Sequence, residues 1–203
     1  MKDIFKLLKI TLYWTTLPIF IIVIVFGIDY LFLPATFKSL GIIPRDFSHL
    51  SGILFAPFIH ANLNHLVGNI ISLWTLLLLL VIFYKRDYWF VLVVTTLLSG
   101  LLTWTIASVG IHIGSSGVIY GLAAFIVLSG FIQKRFLQIS ASLMVFFAYR
   151  YLITGLFPPN STLPDDISYS SHWSGVISGI AVACITAYFS HKRRNNLASK
   201  PHD

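Results

Sequence analysis

Six long runs of apolar residues alternate with short polar or basic segments along the chain. Each run has about 18 residues or more, enough for a helix to cross a hydrocarbon core of about 30 Å. The pattern predicts an all-α membrane protein with six transmembrane helices in a compact bundle. The predicted spans cover about residues 10–28, 63–84, 88–109, 116–133, 136–157 and 172–190. We interpret residues 1–203 as a single membrane domain with a basic tail, 191–203.

Two connections between the spans are long. Residues 29–62 mix prolines, charges and aromatic side chains, which favours an interfacial or partly re-entrant outer loop over a disordered linker. The connection after the fifth span is polar and contains three prolines and the pair Asp165 and Asp166. We expect neither loop to form a second domain.

The composition excludes a soluble fold. The 203 residues are 57% hydrophobic and 10% charged, with a mean hydropathy of +0.84. A soluble domain of this size cannot bury so much apolar surface. The net charge of +7 does not indicate a nucleic-acid partner, because the cations cluster at the ends of the apolar runs. The basic clusters fall on one side of a six-span path, and we expect that side, with both termini, to be cytoplasmic.

Four polar residues on three spans share one depth. About 16 to 20 positions, or about 24 to 30 Å at about 1.5 Å per residue, separate the basic end of each helix from Ser116, His172, His65 and Asn69. All four therefore fall in the outer part of the hydrocarbon core. Polar groups at that depth are costly unless they face one another or a water-filled cavity, so we expect them to meet.

Ser116 lies in a Gly-x-Ser-Gly turn. The flanking Gly114 and Gly117 let the backbone approach a reacting group and leave the serine hydroxyl uncovered. Tyr120 follows one turn later on the same helix face. Small residues also pack membrane helices together, so this turn alone does not distinguish chemistry from packing.

His172 begins the last span. Gly175 and Gly179 follow it at helical spacing and would allow close approach of a neighbouring helix. If that neighbour is the fourth span, His172 and Ser116 come within reach of each other. A histidine base beside a serine is the minimal pair that activates a nucleophile.

A metal site is the competing interpretation of clustered histidines. His60, His65 and Asn69 belong to one segment, and His65 and Asn69 share a helix face from which both can donate to an oxyanion. The chain contains no glutamate, so the His-Glu-x-x-His motif of membrane metalloproteases cannot occur. We therefore expect no metal and no cofactor. The remaining histidines are interpreted as interfacial residues: His49, His112, His191 and His202.

In their order along the chain, these motifs resemble the rhomboid family of intramembrane serine proteases. The resemblance covers about residues 10–190 and rests on His60-x4-His65-x3-Asn69, Gly114-x-Ser116-Gly117 with Tyr120, and His172-x2-Gly175-x3-Gly179. It implies a rhomboid-like bundle with a long first outer loop, in which Ser116 is the nucleophile and His172 the base. His65, Asn69 and the Ser116 backbone N–H would form the oxyanion hole, and Tyr120 would pack against the His172 ring.

The resemblance also implies an activity and a location. The expected enzyme hydrolyses single-span membrane proteins near their outer boundary, through a Ser-His dyad and an acyl-enzyme, in a bacterial inner membrane. The alternative is an inactive relative that binds membrane proteins, but such relatives have lost the serine or the histidine. An unrelated transporter would carry charged or broken helices near the midplane, and only Arg150 fits that pattern. The chain departs from many members in having no Trp-Arg pair between residues 29 and 62.

The predicted base has no evident carboxylate partner. Soluble serine proteases use an aspartate to hold the tautomer of the histidine. Here only Asp165 and Asp166 precede His172 closely, in a polar loop where a carboxylate would be hydrated and poorly fixed. Tyr120 is better placed to hold the ring by packing, so we expect a dyad and not a triad.

Overall fold

The structure is a computed structural model that describes residues 2–33, 36–157 and 168–198. Within these ranges the chain is helical and contains no strand, only an isolated antiparallel bridge between Ile42 and His112. Five helices are long and apolar enough to cross a membrane, and a bent pair makes a sixth if it counts as one span. The prediction of an all-α, multi-pass membrane protein is confirmed.

Seven α-helices occur in the described ranges. In chain order they are α1 (Lys2–Phe32), α2 (Gly52–Phe55), α3 (Leu63–Tyr84), α4 (Tyr88–Ile106), α5 (Ser116–Gln133), α6 (Phe136–Ala148) and α7 (Tyr169–Ala198). Short 3-10 helices accompany them at Thr36–Leu40, Phe47–His49, Ala56–Phe58 and Arg150–Leu156.

α3 and α5 have the same bounds as the second and fourth predicted spans, and local signals explain why. Asn62 caps α3, because its side chain accepts a hydrogen bond from the backbone N–H of His65 at 2.9 Å. α5 ends where Lys134 adopts the left-handed conformation, with φ of 52° and its N–H bonded to the Gly130 carbonyl at 3.1 Å.

The fifth predicted span, 136–157, is not one helix. α6 stops at Ala148, and the chain bends by 57° into the 3-10 helix Arg150–Leu156. The Tyr149 hydroxyl donates to the Ser72 carbonyl at 3.0 Å, and the Tyr151 hydroxyl lies 3.1 Å from the Ser72 hydroxyl. These contacts with α3 compensate for the interrupted helix. Arg150 consequently lies exposed at the start of the 3-10 helix and not within a continuous α-helix.

Three other helices differ from the predicted spans at one or both ends. α1 extends beyond 10–28 at both ends, and α4 stops at Ile106, three residues before the predicted end. α7 begins three residues early, and it continues to Ala198 through most of the segment predicted as a tail, 191–203. A helix does not end where apolar residues end, because its backbone hydrogen bonds continue into water. Residues 199–203, with His202, lie outside the described ranges.

The first loop packs against α4. The Arg45 guanidinium donates to the carbonyls of Thr105 and Ala107 at 3.2 and 2.9 Å. The Trp104 indole donates to the Asp46 carbonyl at 3.0 Å. The loop therefore has defined contacts with the end of a span, although it lacks the Trp-Arg pair within its own sequence.

α5 is the central helix of the bundle, because it packs against α3, α4, α6 and α7. Its side chains join those of α3 in the core, where Leu76, Leu77, Leu122, Phe125 and Ile126 are fully buried. α5 makes its most extensive contact with α7. Ser116 and His172 stand near the start of these two helices, so their packing determines the relative position of the two residues.

Candidate active site

A cavity of about 490 Å³, lined by several polar side chains, opens among α3, α5, α7 and the 3-10 helix Arg150–Leu156. Residues from all four elements line it, and among them are the main residues predicted from the sequence: His65, Asn69, Ser116, Tyr120 and His172. The structure thus brings together on one surface the polar groups expected to share one depth.

Ser116 is the first residue of α5, so its backbone N–H has no partner within the helix. The preceding turn requires a glycine, because Gly114 has φ of 103°. A Cβ at Gly114 would also lie 2.7 Å from Cε1 and 2.8 Å from Nε2 of His65. The turn therefore places the His65 ring directly against the backbone that leads into the serine.

Glycines bring α5 and α7 together, as the sequence predicts. A Cβ on Gly175 would contact the Gly117 carbonyl oxygen, and one on Gly179 would contact the Gly121 carbonyl oxygen, closer than real side chains allow. The approach continues to the helix starts, where a Cβ on Gly117 would lie 3.2 Å from the Ser171 carbonyl oxygen. Ser116 and His172 flank this point in sequence. Gly121 is a fourth member of the contact that the motif did not include.

Two contacts fix the His172 ring. Its Nδ1 lies 2.6 Å from the Gly155 carbonyl oxygen, which can only accept, so Nδ1 carries the proton and donates it. In the neutral ring, Nε2 is then left as an acceptor. The ring stacks on Tyr120, with centroids 4.1 Å apart and planes 15° apart. The Tyr120 hydroxyl donates in turn to the Leu152 carbonyl at 2.7 Å.

The 3-10 helix Arg150–Leu156 therefore supplies two carbonyls that hold the predicted base. Neither Gly155 nor Leu152 stood out in the sequence, because a backbone carbonyl is present at every residue. Space also matters, since a Cβ on Gly155 would collide with the Tyr120 hydroxyl. The glycine lets this segment lie against both rings.

Asn69 presents a donor to the cavity. Its side chain is 7% exposed, and among the described residues no acceptor lies within hydrogen-bonding distance of Nδ2. Burying an amide N–H without a partner costs free energy, so such a group in a cavity indicates a ligand oxygen. His65 lines the same cavity one helical turn earlier.

His60 supports His65 and does not itself line the cavity. The two rings make an edge-to-face contact, with centroids 5.1 Å apart. His60 is only 2% exposed, and burial lowers its pKa to about 4, with a smaller contribution from the charge of His65. His60 is therefore neutral near pH 7 and acts as a buried packing surface for His65.

His112 is not the interfacial residue that we inferred. It is 8% exposed, its Nδ1 lies 2.5 Å from the Ser168 hydroxyl, and its Nε2 lies 2.9 Å from the Ser108 carbonyl oxygen. Ser168 also lies 2.6 Å from the hydroxyl of Ser171 on α7. His112 thus ties the loop before α5 to the start of α7, on the same side of the bundle as Ser116 and His172.

In the described ranges, carboxylates do not line the cavity, and two of them have partners of their own. Asp29 accepts a hydrogen bond from the Phe37 N–H at 2.9 Å, and Asp46 binds Ser48 and His49. The Ser48 hydrogen bonds, with a smaller contribution from His49, lower the pKa of Asp46. No aspartate is found among the cavity-lining residues there. Asp165 and Asp166 lie outside the described residues.

Comparison with known proteins tests the resemblance to the rhomboid family. The Rhomboid domain family matches residues 47–189. Uncharacterized proteins of Mycobacterium bovis and Mycobacterium tuberculosis are each 32% identical over 160 residues, 76% of this chain and 66% of the relative. One of Mycobacterium leprae is 34% identical over 151 residues, 71% of this chain and 59% of the relative. The matched part thus spans less than two thirds of these relatives. Because the family match covers well over half of the sequence and includes every residue discussed around the cavity, the chain belongs to the rhomboid family.

Proposed function

We propose that this protein is an intramembrane serine endopeptidase with Ser116 as nucleophile and His172 as general base. One observation carries the proposal. The His172 ring donates through Nδ1 to the Gly155 carbonyl and stacks on Tyr120, in the cavity that Ser116 also lines. A histidine held in this tautomer has the acceptor nitrogen that a serine hydroxyl requires.

Acylation begins when the Ser116 hydroxyl oxygen attacks the scissile carbonyl carbon and its proton passes to His172 Nε2. The oxyanion that forms would accept hydrogen bonds from Asn69 Nδ2, His65 and the Ser116 N–H. When this intermediate collapses, the C–N bond breaks and the protonated His172 gives its proton to the leaving amine. The product is an ester between Ser116 and the amino-terminal part of the substrate.

Deacylation repeats these steps with water. A water molecule gives a proton to His172 as its oxygen attacks the ester carbon, and the same donors stabilise the second oxyanion. The C–O bond to Ser116 then breaks, and the serine recovers its proton from His172. The Gly155 carbonyl favours the charged ring in both halves, because it accepts a hydrogen bond that strengthens when the ring becomes cationic.

The proposed substrates are single-span membrane proteins, cut near the outer membrane boundary. We further propose a bacterial inner membrane location, with the basic helix ends and both termini in the cytoplasm. In that orientation Ser116, at the opposite end of α5 from Lys134, is near the extracytoplasmic surface and accessible to water. The alternative is an inactive protein that has the same helix bundle and binds membrane proteins without using Ser116 as a nucleophile.

Labelling with a serine-reactive fluorophosphonate distinguishes these two functions. The purified full-length chain should be labelled covalently in detergent micelles, and the label should map to Ser116 by peptide mass spectrometry. A folded protein that takes up no label and cleaves no single-span substrate would support the binding protein instead.

The oxyanion donors provide a quantitative test. Asn69→Ala and His65→Ala should each slow cleavage by on the order of ten- to a thousandfold, because each removes a donor from the developing charge. The reduction should appear in kcat, with much less change in KM, since the charge exists only in the transition state. Unchanged turnover in both variants would exclude these side chains from the oxyanion hole.

Substrate unwinding leads to another expected result. A regular helix protects its carbonyls by internal hydrogen bonds, so the segment to be cut must unwind, and glycine, proline or polar residues lower that cost. Replacing such residues near the cleavage site of a substrate by leucine should therefore reduce the cleavage rate, measured with the substrate reconstituted in the same vesicles. Efficient cleavage of a uniformly leucine-rich span would contradict the unwinding step.

The residues that orient the His172 ring distinguish a catalytic dyad from a triad. Tyr120→Ala removes the stacked ring and should reduce kcat more than Asp165→Asn or Asp166→Asn, singly or together, which should retain most activity. Tyr120→Phe serves as the control, because it keeps the stacking and loses only the bond to Leu152. If the double aspartate variant loses as much activity as His172→Ala while remaining folded, the dyad is wrong.

A further inference from the structure

Another cavity, of about 290 Å³ and lined by charged and polar side chains, lies at the end of the bundle opposite Ser116. It opens where α3 and α5 end and α6 begins, beside the last turns of α7. We call it the basic cavity, because four of its lining residues are cations: Lys85, Arg86, Arg135 and Arg193. It is remote from the cavity of the proposed active site and shares no lining residue with it.

Cations at the ends of transmembrane helices are common, so their presence alone indicates only topology. Here, however, cations from three separate parts of the chain surround one concave space, with Asp87 as the carboxylate among the lining residues. None of the four makes an ion pair within the described residues. The space therefore carries excess positive charge, which favours an anion.

Tyr84 is an independent sign of a ligand. Its side chain is only 4% exposed and lines the basic cavity, yet its hydroxyl finds no hydrogen-bond partner among the described residues. Gln138, which is 9% exposed, lines the same cavity, and its amide makes only a long contact of 3.4 Å with the Phe83 carbonyl. Buried polar groups normally have partners, so the Tyr84 hydroxyl indicates that a polar group occupies the cavity, where the Gln138 amide lies beside it.

Helix dipoles do not decide the sign of that group. The cavity meets the carboxyl ends of α3 and α5, which disfavour an anion, and the amino ends of α4 and α6, which favour one. These contributions oppose each other, so the side-chain charges dominate. Arginine forks and a tyrosine hydroxyl together suit the oxygens of a phosphate.

We propose that the basic cavity binds the phosphate of an anionic phospholipid headgroup. A lipid phosphate lies at the level where spans end, and its acyl chains would continue along the apolar outer face of α6, where Phe136 and Leu137 are exposed. The phosphate would be bound by Arg135 and Arg193, with the Tyr84 hydroxyl as a further donor. This binding does not depend on proteolysis and concerns the opposite end of the molecule.

Lipid binding can be measured by native mass spectrometry of the full chain, titrated in detergent with phosphatidylglycerol or phosphatidylcholine. The wild-type protein should bind phosphatidylglycerol at least about tenfold more tightly. The Arg135→Gln/Arg193→Gln protein should lose about twenty-fivefold in affinity, from about fivefold for each cation near a phosphate. Tyr84→Phe removes one hydroxyl without changing charge and should lose affinity by several-fold.

The matched control is Lys134→Gln/Lys192→Gln, because each lysine is the sequence neighbour of a cavity arginine but does not line the cavity. This pair removes the same charge and should change the affinity by less than about threefold. Equal losses in the two double variants would mean diffuse attraction to the basic surface and would overturn the site. If millimolar inorganic phosphate displaces the lipid fully, the cavity binds a free anion, and the proposal of a lipid ligand is overturned. Should the arginine variant unfold on heating before the wild type, Tyr84→Phe decides, and unchanged affinity in it overturns the proposal.

Discussion

Ser116→Ala is expected to abolish fluorophosphonate labelling and to reduce cleavage of a single-span substrate by at least about a thousandfold. The substitution removes the oxygen that forms the acyl bond, and the proposed mechanism has no second nucleophile to replace it. His172→Ala should have a similar effect on cleavage, because the serine then loses its base. Both proteins should remain folded, which thermal unfolding in detergent will show.

Ser115→Ala is the matched control. Ser115 precedes the nucleophile directly, but its side chain is 1% exposed and lines a separate, apolar cavity beside α1 and α4. Replacing its hydroxyl should leave labelling and cleavage within a few-fold of the wild type. If Ser115→Ala is inactive while Ser116→Ala retains activity, the assignment of the nucleophile is wrong.

The grouping of polar residues around one cavity was predictable because a bilayer imposes a common scale on every helix. Counting from the basic ends gave one depth for Ser116, His172 and Asn69, and these residues do line one cavity. The Gly-x-x-x-Gly spacing of Gly175 and Gly179 likewise predicted a close helix neighbour, since only small residues permit such an approach. Both inferences rest on the fixed rise and periodicity of a helix that crosses a bilayer.

The break after α6 was not predictable by the same means. Residues 136–157 are apolar throughout, and hydropathy does not distinguish a straight helix from a bent one. Tertiary hydrogen bonds from Tyr149 and Tyr151 to α3 decide the matter. The break has a consequence for the site, because it brings the Gly155 carbonyl to His172. A role played by a backbone carbonyl has no residue type to signal it.

His112 shows a different limit of prediction from the sequence. A histidine in a short loop at a helix end has the appearance of an interfacial residue, and only the partner identifies it as a buried link. That partner, Ser168, lies more than fifty positions later in the chain. Sequence spacing relates residues on one helix, whereas this contact joins two connections whose distance depends on how all the spans pack.

Gly175→Val is the second substitution with a large expected effect, and it acts without touching either reacting group. The Cβ of a side chain at this position would collide with the Gly117 carbonyl oxygen and would lie 3.0 Å from the Tyr120 Cβ. α5 and α7 must then move apart, and overpacking of this kind costs about 1–3 kcal/mol of stability. A shift of about 1 Å between Ser116 and His172 reduces catalysis by about a hundredfold, so we expect at least that loss.

The control for this variant is Gly27→Val on α1, because a Cβ at Gly27 meets nothing within 4 Å. It makes the same chemical change in a membrane helix and should alter neither the labelling rate nor the melting temperature appreciably. The decisive measurement is the rate of fluorophosphonate labelling below the melting temperature of each variant, which separates misplacement from unfolding. A Gly175→Val protein that is folded and is labelled at the wild-type rate would show that close contact between α5 and α7 does not position the pair. In that case the ring contacts of His172 with Gly155 and Tyr120 would have to align the base without help from helix packing.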